Sequence, residues 1–561
     1  MKRWMSAAAA AGLVVAGLAV AGPAIAGGDG DGLGGGRGEG NSNAHGGGGG
    51  HGGGGHGGHG GGGGHGGGGH GGGKPGTEEL NRWAVDTWRS LDAMTDEATG
   101  LPSDNVAGDL QTPGAYTSPT NIGGYLWSTV TARDLGIIDD GEAHERLSTT
   151  LDTLAGLERN DASGMFYNWY SPTTGEKLTT WPDSGDPVHP FLSTVDNGWL
   201  AASLRIVREA EPDLAEQADA LYDSMDFASF FDPAGAAGLP AGTNRGGFWD
   251  AAPPDCSVEA PMYNGSGETA YYTCHHYDTT VSESRIATYL GIANGQIPAT
   301  ALSGTHRTMP PGCDWAWQEQ LPQGEYRTYD GIEVWEGAYQ YGGMSFVPSW
   351  GGSMFESLMP DLLVPETKWG PTSWKLNHPI TVAVQKQHGL DEAGYGYWGF
   401  SPASDPFGGY AEYGVDIAGM RSDGYTSDAE KTDVDIDRPG CSTGTNPDPE
   451  FGDGVVTPHA AFLALPYDRA GALQNLEGIE QDLGAYGSGG FYDAVAVHSG
   501  TIAERYLSLD QSMIMAAIGN ELTKDTLKDY FVDREMEQRL RPAMTQQVFG
   551  SSWGAGHGHG G

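Results

Sequence analysis

The sequence predicts an all-α toroid, an (α/α)6 barrel with long loops and a few short strands on one face. Three observations lead there. About twelve segments between residues 77 and 549 carry apolar residues at helical spacing. The loops between them are long and rich in Gly, Pro, Asp and aromatic residues. No repeat of fixed short period runs along the chain, which argues against a solenoid.

The ends fall outside that architecture. Residues 1–26 read as a secretory signal peptide: Lys2 and Arg3, then an apolar stretch, then Ala24-Ile25-Ala26 as a small-x-small cleavage site. The mature protein is therefore expected to be secreted. Residues 27–76 form a Gly-rich tract dotted with His45, His51, His56, His59, His65 and His70. Glycine buries no apolar surface and loses the most entropy on ordering, so this is read as a disordered linker. A His-rich metal-binding tract is the other reading, and the irregular His spacing argues against it. Residues 550–561 repeat the composition as a short flexible tail.

Within the domain, residues 78–91 place Leu80, Trp83, Ala84, Thr87 and Trp88 on one side of a helix. Further helices are expected at 122–135, 142–157, 196–210, 214–230, 281–293, 353–362, 372–387, 458–464, 470–483, 509–520 and 524–531. A short strand is expected around Phe166 to Tyr170.

Composition narrows the function. There are 29 basic and 73 acidic side chains, a formal charge of −44. Such a charge repels phosphate backbones and anionic membranes, so neither nucleic acid nor membrane is an expected partner. A neutral ligand suits it better, and 16 Trp and 24 Tyr supply faces on which sugar rings stack. Cys256, Cys274, Cys313 and Cys441 are read as two disulfides, with Cys256–Cys274 the first pairing to expect because they bracket one Gly/Pro-rich loop. No Cys/His spacing suggests zinc, and no metal or cofactor is expected.

The chain is organised about His275-His276-Tyr277-Asp278-Thr279-Thr280-Val281-Ser282-Glu283-Ser284-Arg285-Ile286, read as a loop turning into a helix. A capping box, Thr280 with Glu283 three residues on, is the plain explanation of Glu283. The wider pattern says more. Tyr-Asp-x-x-x-Ser-Glu-x-Arg is followed by Gly295-Gln296-Ile297-Pro298 and by the run Ser349-Trp350-Gly351-Gly352-Ser353-Met354-Phe355-Glu356-Ser357-Leu358-Met359-Pro360. Over roughly residues 80–535 this resembles the glucoamylase-like domain of bacterial β-1,2-glucanases (glycoside hydrolase family 144 and relatives) and of cyclic β-1,2-glucan synthases.

The resemblance implies an (α/α)6 barrel, a β-glucan substrate and hydrolysis between carboxyl groups, one protonating the leaving oxygen and one activating water. It places Glu283 as the acid and Asp196, within Ser193-Thr194-Val195-Asp196, as the opposing carboxylate. The helix dipole is expected to keep Asp196 ionised. Asp493 stands where relatives usually have Glu and is the third catalytic candidate. Tyr277, Asp278, Arg285, Trp249, Trp350, Glu356, Tyr397, Trp398 and Asp510 are the expected substrate-binding residues. Glu356, amid Phe355, Leu358 and Met359, also reads as a buried structural carboxylate.

Two departures stand out. Relatives often read Trp-Gly-x-Ser-Glu-Ser where this chain has Trp398-Gly399-Phe400-Ser401-Pro402-Ala403-Ser404, and no neighbouring residue in the sequence replaces that Glu. Relatives also read Ala-Pro-Tyr-Ala where this chain has Thr457-Pro458-His459-Ala460. The alternatives are a wall-associated carbohydrate-binding protein that kept the barrel and lost the chemistry, or a transglycosylase. A monomer is expected.

Overall fold

The computed structural model describes residues 74–236, 238–239, 241–310, 320, 322–420 and 451–554. The signal-peptide reading, most of the Gly/His tract, Cys313, Cys441 and the end of the tail lie outside them. Among the described residues no helix is long and apolar enough to cross a membrane.

Helices dominate: α1 (Thr77–Met94), α2 (Pro119–Asp134), α3 (Asp140–Gly156), α4 (Thr194–Ala210), α5 (Ala215–Tyr222), α6 (Arg285–Ala293) and α7 (Met354–Leu358). They continue with α8 (Glu366–Trp369), α9 (Trp374–Gln387), α10 (Pro458–Leu463), α11 (Arg469–Gln481), α12 (Ser508–Thr523), α13 (Thr526–Phe531) and α14 (Arg534–Gln546).

Two kinds of helix are distinguishable by burial. In α2 every residue from Pro119 to Ala132 is buried, and in α4 every residue from Thr194 to Val207. A helix buried all round must sit inside others. Gly123 and Gly124 make this possible in α2: a Cβ would fall 2.7 Å from Ser203 Oγ of α4 at the first and 2.5 Å from Ser512 Oγ of α12 at the second. The helix is thus wedged between two neighbours at a spacing only glycine permits. Helix α4 also packs on α6, and α10 packs on both α7 and α12. By contrast α14 buries only Met536, Leu540 and Met544, one stripe four residues apart.

Several sequence expectations need correction. The helix expected over 214–230 stops at Tyr222; Asp226 then accepts the Ala228 N–H at 3.1 Å and starts a separate 3-10 turn, Phe227–Ser229. The one expected over 353–362 is α7 plus the 3-10 turn Met359–Leu362, because Pro360 has no N–H to continue the ladder. Helices α8 and α14 were not expected; Pro542 obscures the pattern of the second. Phe166 to Tyr170 forms only isolated bridges, Arg159 with Phe166 and Thr117 with Tyr170.

The strands are more numerous than expected. Gln323–Tyr329 and Ile332–Tyr341 make a long hairpin around Asp330-Gly331, both at positive φ (50° and 85°). That Asp-Gly pair is the sequence signal for such a turn. A four-stranded sheet runs in the order Phe191–Ser193, Gly247–Trp249, Thr269–Thr273, Ser257–Pro261. Ser257 pairs with Thr273, so Cys256 and Cys274 stand opposite one another, and they are bonded as the sequence suggests.

Candidate active site

The starts of consecutive buried helices carry the acidic groups. Ser193 caps α4 by accepting the Asp196 N–H at 3.2 Å, which fixes Asp196 in the first turn. From there Asp196 Oδ1 accepts the Thr120 hydroxyl of α2 at 2.7 Å. Glu283 lies just before α6, and its Oε2 accepts Trp199 Nε1 of α4 at 2.6 Å. Its backbone N–H donates to Glu356 Oε2 in the first turn of α7, at 2.7 Å. Three buried carboxyl groups at three helix starts are therefore gathered about Glu283, whose side chain reaches Trp199 of α4, whose backbone N–H reaches Glu356, and on which the charges of Glu356 and Asp196 both act. Tyr277 stands among them: after burial, Glu283, Asp196 and Glu356 push its hydroxyl well above its usual range.

Burial, followed by the like charge of Glu356, holds the Glu283 carboxyl well above the usual carboxylate range; Trp199 and Arg285 oppose this. Glu356 is pushed up to about 7 by burial, against the pull of the Glu283 N–H, Ser282 and Arg285. Asp278 reaches about 7 through burial alone, only its own backbone opposing. Each is a carboxyl group able to hold a proton near neutrality.

A second acidic group forms at α10 and α12. His459 Nδ1 is 3.2 Å from Asp510 Oδ2, and Asp510 is raised well above its usual range by burial and by its hydrogen-bonded neighbour Asp493. Asp104 is tied to both sides: its carbonyl accepts the Ser508 N–H at 2.8 Å, and its Oδ1 accepts Asn121 Nδ2 of α2 at 3.0 Å. Burial holds His459 down at about 3, hence neutral.

Behind α6 and α7 sits a third cluster. Glu366 accepts Arg285 Nε at 2.7 Å and Nη2 at 2.9 Å, the Tyr289 hydroxyl at 2.6 Å, and pairs with His378 Nε2 at 2.9 Å. Arg285 also donates to the carbonyls of Ser282 (2.8 Å), Glu356 (2.8 Å) and Ser357 (2.6 Å). Among the described residues, Asp361/Glu366/His378 and His459/Asp493/Asp510 bring ligand-type atoms within 4.8 Å of one another. The first has its positive charge built in, from Arg285 and from Lys528 against Asp361. The second offers one nitrogen and two carboxylate oxygens.

Residues 318–535 match the family model described as "Putative glucoamylase", and residues 82–232 match one described as a protein of unknown function. The cyclic β-(1,2)-glucan synthase NdvB of Rhizobium meliloti is 25% identical over 552 residues, covering 81% of this chain and 18% of the synthase. This chain thus spans under a fifth of that relative's length. The endo-β-1,2-glucanase of Chitinophaga pinensis, solved with sophorotriose and glucose, superposes with a TM-score of 0.57 at 15% identity, covering 83% of this chain and 98% of that one. The endo-β-1,2-glucanase of Talaromyces funiculosus, solved with sophorose, gives 0.53 at 13%, covering 82% and 90%. Residues 318–535 are thus similar to that glucoamylase model, and the fold is shared with these solved structures.

Within this fold, the expected site residues divide. Tyr277, Glu283, Glu356 and Asp196 come together, and the Trp350 backbone N–H donates to the Val281 carbonyl beside them at 3.0 Å. Asp493 and Asp510 come together at the second acidic group. Trp249 packs in the four-stranded sheet against Phe191, ring centroids 4.6 Å apart, leading into α4.

Four expectations fail. The capping box is absent, because α6 begins only at Arg285, and the Glu283 carboxylate goes to Trp199. Arg285 is not placed to bind substrate; its guanidinium is buried and fully engaged with Glu366 and three carbonyls. Tyr397 and Trp398 turn to α11: the Tyr397 hydroxyl donates to Asp482 at 3.1 Å, and the Trp398 backbone pairs with the Asn475 amide. Both line a cavity of about 430 Å³ beside Lys386 and Gln474. Finally, Asp196 is raised by burial despite its Ser193, Thr120 and Ser118 hydrogen bonds; desolvation outweighs the helix dipole.

Four residues escaped the sequence reading. Trp199 lies one turn on from Asp196 in α4, and that spacing could have indicated the contact. Glu366 and His378 carry no local signal. Glu412 is pushed up to about 7 by burial and by Glu356, from a loop 56 positions away.

Proposed function

We propose that this protein is an exported glycoside hydrolase acting on β-glucan, with β-1,2-glucan its substrate. The observation that carries the reading is the cluster of Asp196, Glu283 and Glu356 at neighbouring helix starts, in a fold shared with endo-β-1,2-glucanases. The barrel belongs to the same proposal. Helices α2, α4, α6, α7, α10 and α12 would form the inner ring of an (α/α)6 toroid, in line with their burial and their neighbours. The N-terminal signal and the Gly/His linker fit a secreted monomer tethered by residues 27–76.

In the proposed reaction Glu283, kept protonated by burial, gives its proton to the glycosidic oxygen as the bond to the anomeric carbon breaks. Water adds to that carbon and loses a proton to the opposing carboxylate. Asp196 is the first choice for that carboxylate, with three hydroxyl neighbours to favour its ionised form. Asp493 is the second choice. Tyr277, Asp278 and Trp350 would bind the sugar, and no metal or cofactor enters the scheme.

Incubation of the purified protein with a panel of glucans, reading products by size and anomer, tests the proposal. Shortened β-1,2-linked products are expected. Binding without cleavage would favour the second reading, a carbohydrate-binding protein, for which Pro402 in place of Glu is the supporting observation.

A further inference from the structure

The segment from Ser401 to Glu412 crosses between the two acidic groups. At its start, Ser401 Oγ lies 3.1 Å from Ser353 Oγ, the cap of α7, and the Phe400 carbonyl accepts the Met354 N–H at 3.1 Å. Three residues on, the Ser404 N–H donates to Asp493 Oδ2 at 2.6 Å. The chain then turns back as a short antiparallel hairpin, Ala403–Ser404 against Tyr410–Ala411, with Ala403 opposite Ala411. One step further along each strand puts Glu412 across from Pro402. Beyond it, the Val415 N–H donates to the Gly352 carbonyl at 3.1 Å, which returns the chain to the start of α7.

Glu412 is thus held between the start of α7 and the anchor on Asp493. It makes no hydrogen bond or ion pair among the described residues, it is half-buried, and besides burial the charge of Glu356 raises it. Glu356 itself, fully buried, leaves Oε1 without a hydrogen-bond partner. A buried carboxyl oxygen left unpaired is costly, and Glu412, half-buried, leaves its own carboxyl open toward solvent. Such an arrangement is stable when a ligand supplies the missing partners.

Resting on the proposed glucan site, we propose that Glu412 is a substrate-binding residue which, with Glu356 Oε1, takes the hydroxyl groups of one glucosyl unit. Two carboxyl groups each raised to about 7, the charge of Glu356 acting on Glu412, can present both a donor and acceptors near neutrality, which matches sugar hydroxyls, themselves donor and acceptor at once. The hairpin also explains how the loop works with Pro402 where relatives place Glu: the carboxyl comes from the facing strand.

The test uses the full chain and sophorotriose as probe, with titration calorimetry on a Glu283→Gln background to prevent turnover. Glu412→Gln and Glu412→Ala should each weaken binding roughly tenfold, the loss of one hydrogen bond to a charged group. In the chain with Glu283 intact, KM should rise similarly and kcat stay within about threefold, since Glu412 is not asked to move a proton in the bond-breaking step. Melting temperatures near that of the unaltered protein would show both variants folded; the isosteric Gln keeps the test open should Ala disturb the hairpin. Binding by both variants within twofold of the parent would overturn the proposal. An unaltered protein that binds sophorotriose in a Glu412-dependent way yet cleaves nothing would end the hydrolase reading and leave this one standing. Neither cleavage nor binding would end both.

Discussion

The cluster around Glu366 and the one around Glu283 are equally dry and chemically opposite. Glu366, Glu283 and Glu356 are all buried. Around Glu366, however, burial is overcome by Arg285 and His378, and the carboxylate is held down at about 2. Glu283 and Glu356 face each other, with Arg285 only approaching from behind, and both are raised. Desolvation is common to the two; counter-charge separates them. A buried carboxylate with a bidentate arginine behaves as scaffold. One with like-charged neighbours and an unpaired oxygen is where chemistry is to be sought.

The largest effect that would sharpen this contrast is on turnover. Glu283→Gln preserves shape and removes the proton, so β-1,2-glucan cleavage should fall by roughly 10² to 10⁴ while the melting curve stays put. Near-normal cleavage by this variant would dissolve the distinction from the active side. Asp196→Asn should lose activity likewise, and an active Asp196→Asn would move the base to Asp493.

Glu366→Ala attacks the other side. It strands Arg285 in a buried site, which costs about 3–5 kcal/mol, so thermal or denaturant unfolding should occur far earlier. A variant as stable as the parent would show that the clamp is not structural. The two clusters should also respond to pH with opposite sign. Glu366 is depressed from an ordinary 4.5 to about 2, so its stabilisation is present above 4.5 and fades as pH falls toward 2. Glu356 is raised from 4.5 to about 7, so the folded state holds the extra proton and its contribution declines as pH rises through that window. Unfolding followed from pH 4 to 8 should therefore show a decline that Glu356→Gln flattens; an unchanged slope would count against the raised carboxyl. As a baseline away from both clusters, Asp139→Ala removes the cap of α3, where Asp139 Oδ1 accepts the Glu142 N–H at 2.9 Å. About 1 kcal/mol of stability and no activity should be lost.

Much of the scaffold was legible from periodicity. Helices α1, α2, α3, α4, α9, α11 and α12 stand within a few residues of where apolar spacing puts them. Short segments were not, because a single turn such as α8 carries no period, and proline at 360 and 542 breaks the pattern differently in each case. Of the candidate site, the motif residues Tyr277, Glu283, Glu356 and Asp196 were named in advance and are found together. Arg285 was named for the wrong purpose, since only Glu366, distant in sequence, reveals that it serves the clamp, together with Tyr289.

The sequence by itself determined which segments become helices, which cysteines at 256 and 274 face each other, and which carboxyl groups stand at helix starts. Those are local facts, written in spacing and capping residues. Tertiary structure alone decided which carboxyl group receives a cation and which does not. Arg285 turns to Glu366 and away from solvent, and Glu412 returns along a hairpin to the side of Glu356. The reason is that a proton's affinity for a buried group depends on charges a few ångströms away, and those come from residues 56 to 81 positions apart.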